Sequence, residues 1–198
     1  MKITKSMLED LQACNDGLGW FEENFPEGGE YQTVLDKLGA ENNYSYAEWL
    51  MDRLQSDESI LEVDEIKTEG SLFFAGKIIS KKGISVTGYL RAGQSIEAGN
   101  GIKAGWGIEA GWGIEAGQSI AAGWDIKAGS GIKAGSGIEA GNGIKAGQSI
   151  AAGSDYGIFA GVQIKIGKWK IDAKVIAKSR PQNLISGFWV EPKDAEEK

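Results

Sequence analysis

The sequence predicts a mainly β protein, a single-stranded parallel β-helix (β-solenoid) of six-residue repeats, with a small α-helical domain before it and a β cap after it. Three observations predict it. An aliphatic residue recurs in strict steps of six, from Leu72 through Ile78, Ile84 and Leu90 to Ile150, and then at Ile158 and Ile164 after a two-residue insertion. Within a typical unit, Ile-Glu/Lys-Ala-Gly-x-x, period-two geometry sends Ile and Ala to one side and the charged residue to the other. Charge also divides the chain: residues 1–70 hold 17 Asp and Glu against 5 Lys and Arg, a net of −12, whereas residues 71–165 carry +3 and residues 166–198 carry +2. The expected domains are therefore an acidic helical head at 1–70, a solenoid at 71–165 and capping strands at 166–198.

The head reads as three or four short helices. Ser6-Met7-Leu8-Glu9 and Ser45-Tyr46-Ala47-Glu48 both fit the capping box, in which Ser and the later Glu each satisfy a free backbone N–H at a helix start. Leu8 and Leu11, and later Trp49, Leu50 and Leu54, follow at helical spacing. Between them, Trp20, Phe21 and Phe25 end at the helix stop Pro26-Glu27-Gly28-Gly29, and residues 31–38 carry another apolar face. These aromatics are expected to form the small core of the head.

A period of six fits no helix and is too short for a hairpin meander, but it fits a solenoid in which each unit is one short strand stacked on its copies. Fixing six residues costs roughly 6–12 kcal/mol of backbone entropy, while burying one Ile returns only about 1.5–3 kcal/mol, so no unit is stable alone. Stacking supplies the difference through ladder hydrogen bonds and through Ile neighbours above and below. Gly gives the backbone freedom expected at a corner. Eighteen residues per turn would stack Trp106 on Trp124 in a triangular coil, and twelve would stack Trp112 on Trp124 in a flattened one. An Ile and an Ala per face fill a three-sided core more naturally, which favours the triangle with five to six turns, about 25 Å long at about 4.8 Å per rung. The open ends are bare sheet edges that need cover. The helical head is expected to cover the first coil, the alternating, lysine-rich residues 168–175 to form a guarded last strand, and residues 184–190 one more strand.

Several kinds of chemistry are disfavoured. The 198 residues contain no histidine, which removes the usual base of triads and dyads and most zinc sites. Cys14 is the only cysteine, reads as a structural thiol, and suits a reducing compartment. The glycines run G-x-G-x-x-x-G at Gly105, Gly107 and Gly111, one residue off the dinucleotide fingerprint. No apolar run reaches the ~18–20 residues of a membrane span, and MKITKSMLEDLQAC places charges where a signal peptide would be apolar, so a cytoplasmic location is expected. The expectation is a protein that is not an enzyme and uses no cofactor or metal. Ice-binding ranks of threonine and the aspartates of calcium-binding rolls are missing as well, since residues 71–165 contain one threonine, Thr87, and two aspartates, Asp125 and Asp155. The +3 coil is also unlike the negative, five-residue-period coil of pentapeptide-repeat DNA mimics.

Over residues 72–165 the repeats resemble those of hexapeptide-repeat β-helix proteins, although here the small residue, Ala, follows the aliphatic one by two instead of preceding it. The acyltransferases of that family use a histidine base, so their activity is not carried over. MKITKSMLEDLQACNDGLGWFEENFPEGGEYQTVLDKL resembles an N-terminal segment of small bacterial prophage and mobile-element proteins, often placed ahead of repeat arrays.

What remains is a surface. Trp106, Trp112 and Trp124 lie beside corner glycines, where the core pattern has no place for them. Exposed Trp gives large contact area at low entropic cost, though the same rings would also serve to cover adjacent corners. The insertion Gly153-Ser154-Asp155-Tyr156-Gly157 should bulge with Tyr156 and Phe159. In the head, Glu22 and Glu23 lie on an acidic helical stretch and Glu27 and Glu30 at and after its stop, giving an acidic surface suited to a basic cleft. The expected function is a non-enzymatic protein-interaction module. Its most concrete form is a phage-encoded inhibitor of a bacterial defence system, anti-CRISPR-like, blocking a host protein that binds nucleic acid. No direct contact with nucleic acid or membrane is expected, and a homodimer is compatible with this reading. The alternative is a self-assembling scaffold of the bactofilin kind.

Overall fold

Each hexad of the repeat forms one short strand, and successive strands take the three sides of a triangular coil. The computed structural model describes residues 1–192. Eighteen residues make a turn: Ile102 pairs in parallel with Ile84 and Ile120, and Glu109 lies between Arg91 and Lys127. The twelve-residue arrangement is excluded. Ile and Ala point inward and are buried through the length of the coil, while the residue between them faces outward.

The three sheets contain seven, seven and six strands, about seven turns where five to six were expected. The count is higher because the coil starts early and ends late. Its first strands, Ile60–Val63 and Ile66–Thr68, lie inside the segment that charge and pattern assigned to the head. It continues past the insertion through Lys174–Ile176, Leu184–Ser186 and Phe188–Val190.

Glycine follows Ala at the corners because of crowding, not backbone angle. A Cβ at Gly123 would overlap the carbonyl oxygen of Gly105 one turn below, and one at Gly105 would overlap that of Thr87. Neither glycine has a positive φ. Stacked rungs approach closely enough at this point that only a hydrogen atom fits between them.

Three expectations for the end of the coil are corrected. Ile164 is in a turn, not a strand. The alternating residues 168–175 contain a helical turn, Trp169–Asp172, before the strand begins at Lys174, so the alternation does not mark one strand. Residues 184–190 form two strands on adjacent faces, split at Gly187, whose φ of +124° turns the chain within one residue. At this end Leu184 packs against the core, and Trp189, in register with the buried Val175, donates its indole N–H to the Ala177 carbonyl at 3.1 Å.

Four helices form the head: α1 (Lys5–Asp10), α2 (Asn15–Asn24), α3 (Tyr31–Ala40) and α4 (Tyr44–Arg53). The capping residues are not the two serines, which lie inside α1 and α4. Thr4 caps α1, accepting from the Met7 N–H, and Asn43 caps α4, accepting from the Tyr46 N–H, each at 3.3 Å. Each cap falls where the chain enters from fixed extended or turn geometry. Ile3 is pinned against Gly29 in a two-residue antiparallel bridge, and Asn42 makes the turn with φ of +53°. Val34, Leu35, Leu38 and Ala47 form a solvent-free core with Ile3 and Phe21.

The head docks on the side of the coil and not over its end. Phe73 and Ala75 leave the repeat pattern to join the head's core, and Gln32 brackets them, donating to the Phe73 carbonyl at 2.9 Å and accepting from the Ala75 N–H at 3.0 Å. An outward Phe on the strand Leu72–Phe74 gives the head an apolar seat on that face. Leu61, Ile66, Leu72 and Phe74, the inward residues of the first turn, consequently remain half-buried. No helix among the described residues is long and apolar enough to cross a membrane.

Candidate functional site

The eighteen-residue turn sorts the predicted aromatics onto different corners. Trp106 and Trp124 share one, with centroids 5.8 Å apart and planes 14° apart, 36% and 46% exposed. Trp112 stands on the next corner between Gln94 and Ser130, 60% exposed and out of contact with the pair. Tyr156 is exposed on the third corner, and Phe159 is half-buried on the outward side of the strand Ile158–Ala160. The sequence candidates therefore do not form one site.

A site does form where the head meets the Trp106–Trp124 corner, through two residues that sequence reasoning missed. Tyr89, from the corner one turn below Gly107, lies edge-on to both indoles, at 5.3 Å from Trp106 and 5.7 Å from Trp124. Its other neighbour is Tyr44 at the start of α4, stacked on it with centroids 3.7 Å apart. A continuous aromatic row thus crosses from head to coil. One clue lay in the repeat: Tyr89 is the sole aromatic in its column, over which Gly107 and Asp125 follow at intervals of eighteen. Tyr44 gave no such signal, since its contact depends on how the head docks.

Beside the row is a notch of about 170 Å³, walled by Tyr44, Tyr89 and Trp124 and by the carboxylates Glu48, Glu109 and Asp125, with Lys127 also on its lining. Gly107 leaves the space open; a Cβ there would lie 2.8 Å from the Tyr89 ring. Burial pushes the Tyr89 phenol above its ordinary pKa, and Glu48, Asp125 and Glu109 push it further the same way. Tyr44 is raised more strongly, by burial and by donating to Glu48 at 2.6 Å. Asp125 accepts from the Gly143 N–H at 2.9 Å.

Arg91 sits beneath the notch at an outward coil position yet is only 7% exposed, because the head covers it. It pairs with Asp52 of α4 and, at 3.4 Å, with Glu109 of the next turn. Burial would lower its pKa, but these two carboxylates raise it overall, so the clamp between head and coil stays charged.

The four candidate glutamates of the head, Glu22, Glu23, Glu27 and Glu30, are exposed, but two are engaged locally: Glu22 with Lys5 at 2.7 Å, and Glu30 with the N-terminal amine at 3.2 Å. Glu23 and Glu27 make no ion pair among the described residues. Cys14 caps α2, its Sγ accepting from the Gly17 N–H at 3.4 Å, beside an apolar cavity of about 300 Å³ walled by Trp20, Tyr46 and Trp49.

Residues 1–57 match the YdhT N-terminal domain. The match spans the four helices and stops just before the first coil strand at Ile60, so it covers the head and leaves the solenoid outside. No curated protein and no solved structure matches the chain.

Proposed function

We propose that the protein is a non-enzymatic binding module that blocks a basic surface on a host protein, in its most concrete form a phage-encoded inhibitor of a defence nuclease. The observation that carries this reading is the outward acidity of a head bound to the coil by the Arg91–Asp52 pair and the Gln32 hydrogen bonds. Its exposed carboxylates project from a folded backbone tied to the coil, so they meet a basic cleft without the backbone ordering cost that a flexible acidic tail would incur. Long-range attraction of such a head to a basic cleft would also speed the encounter. The resemblance of residues 1–38 to prophage segments supports the genomic setting.

The test is capture of a stoichiometric partner by the full chain, followed by competition with duplex DNA or RNA. The expected result is that nucleic acid displaces the protein and that reversing Asp16, Glu22, Glu23, Glu27 and Glu30 to lysine abolishes capture. Persistent capture by the charge-reversed head would overturn the mimicry.

A second reading, the self-assembling scaffold, is favoured by one observation: the first turn's Leu61, Ile66, Leu72 and Phe74 are only half-buried at an end that the head leaves uncovered. Weighing against it, the repeat is broken at the other end by the helical turn Trp169–Asp172 and by the change of face at Gly187. Light scattering against concentration separates the two readings, since filaments at ~100 μM support the scaffold and particles of constant size support the binding module.

A further inference from the structure

We infer that the notch between α4 and the Trp106–Trp124 corner binds an organic cation, the guanidinium or ammonium of a basic side chain on the partner. The inference rests on the reading of the protein as a binder of basic protein surfaces, and it names the place where one such side chain would insert. Three features give the notch this selectivity. The rings of Tyr44, Tyr89 and Trp124 line it, and aromatic rings attract cations through the ring quadrupole, more strongly where water is excluded. Three carboxylates, Glu48, Glu109 and Asp125, share the cavity with one cation, Lys127. Glu109 is already paired with Arg91, whereas Glu48 and Asp125 accept only neutral hydrogen bonds and make no salt bridge among the described residues, so the carboxylates outnumber Lys127. The volume, about 170 Å³, has room for such a head group.

Burial raises the Tyr89 phenol, and the same three carboxylates push it in the same direction. The cavity also depends on a departure from the pattern of its own corner. Tyr89 leans over the empty Gly107 position and Asp125 closes the far side, so three successive turns contribute a wall, a gap and a charge. Trp112, on a corner without tyrosine neighbours or a helix opposite, has no equivalent and is an internal control.

The probe is Nα-acetyl-arginine amide, compared with its neutral isostere Nα-acetyl-citrulline amide, titrated into the full-length protein while the indole N–H resonances are followed. The expected result is a saturable shift of Trp106 and Trp124 by the arginine amide, little response to the citrulline amide, and no movement of Trp112. Asp125→Asn should weaken the arginine amide by about threefold and Lys127→Met should strengthen it by about twofold, each within the range of a partly exposed cation contact. Equal responses to the two amides, or no saturable shift at Trp106 and Trp124 in the unmodified protein, would overturn the inference. The charge-reversed head should still bind the arginine amide while failing to capture a partner. Absence of a saturable amide response in an unmodified protein that captures its partner sinks the notch alone, and capture that persists in a charge-reversed head still binding the arginine amide sinks the mimicry alone.

Discussion

Ile126 and Lys127 are neighbours in one strand and face opposite media. Ile126 is fully buried, so Ile126→Asp places a carboxylate in a dry core with no partner and should cost several kcal/mol, enough to unfold a marginal domain. Lys127→Asp should cost under about 1 kcal/mol, because an exposed ladder charge contributes little. Thermal melts of the two variants check both; equal losses would mean that the inward rank is assigned wrongly. Tyr31 provides a residue-scale test in the head. Burial raises its phenol from 10.0 to about 12, so the folded state resists ionisation that the unfolded chain accepts. Its contribution is fully present below pH 10 and is lost as the pH rises from there to about 12. Over that window Tyr31→Phe should lose less stability than the unmodified chain, as urea titrations at pH 9 and pH 11.5 would show.

At the scale of the element, each strand contributes two inward side chains and depends on its neighbours for everything else. Removing residues 132–137 deletes one whole hexad and lets Ile138 take the place of Ile132, so the melting temperature should fall by only a few degrees. Removing 132–136 instead shifts every later residue by one, turning charges inward and Ile outward, and should abolish the cooperative melt. Circular dichroism melts of the two deletions decide the point. The same logic explains what could be seen in the sequence. A repeat of Ile and Ala states its inward face in every copy, so strand positions and core were legible, whereas Ile60–Val63 and Ile66–Thr68 were missed because the sequence around them is acidic and lacks the Ala-Gly signature. The helical turn Trp169–Asp172 was hidden by an alternation that imitates a strand. The caps at Thr4 and Asn43 were hidden because the serine motifs inside the helices fit the same rule as the true caps. Of the candidate site, Trp106 and Trp124 were legible as exposed residues out of place in the repeat. Tyr44, Glu48 and Arg91 were not, since their roles arise from docking between segments about forty residues apart.

For the whole molecule, the decisive contact is the one between head and coil. Arg91→Met removes the positive member of the clamp and leaves Asp52 and Glu109 without it. Because Asp52 is partly exposed, the loss should be about 1–3 kcal/mol, and not the larger cost of stranding a fully buried charge. Its signature should be a split in the calorimetric transition, with the head melting below the coil. A single transition shifted as one would mean that Gln32, Phe73 and Ala75 suffice to couple the two.

The clamp also fixes an origin. The head grips the first two turns only, at Phe73, Ala75 and Arg91, and the turns above repeat with three-fold equivalence around the axis. The coil therefore behaves as a dial with a scale engraved along its shaft. One hexad gained or lost swings the C-terminal tip by a third of a revolution relative to the head, and three hexads return it to the same bearing about 4.8 Å further out or in. Reach and azimuth can thus be reset in whole steps by duplicating a unit, with the aromatic row and its notch left in place.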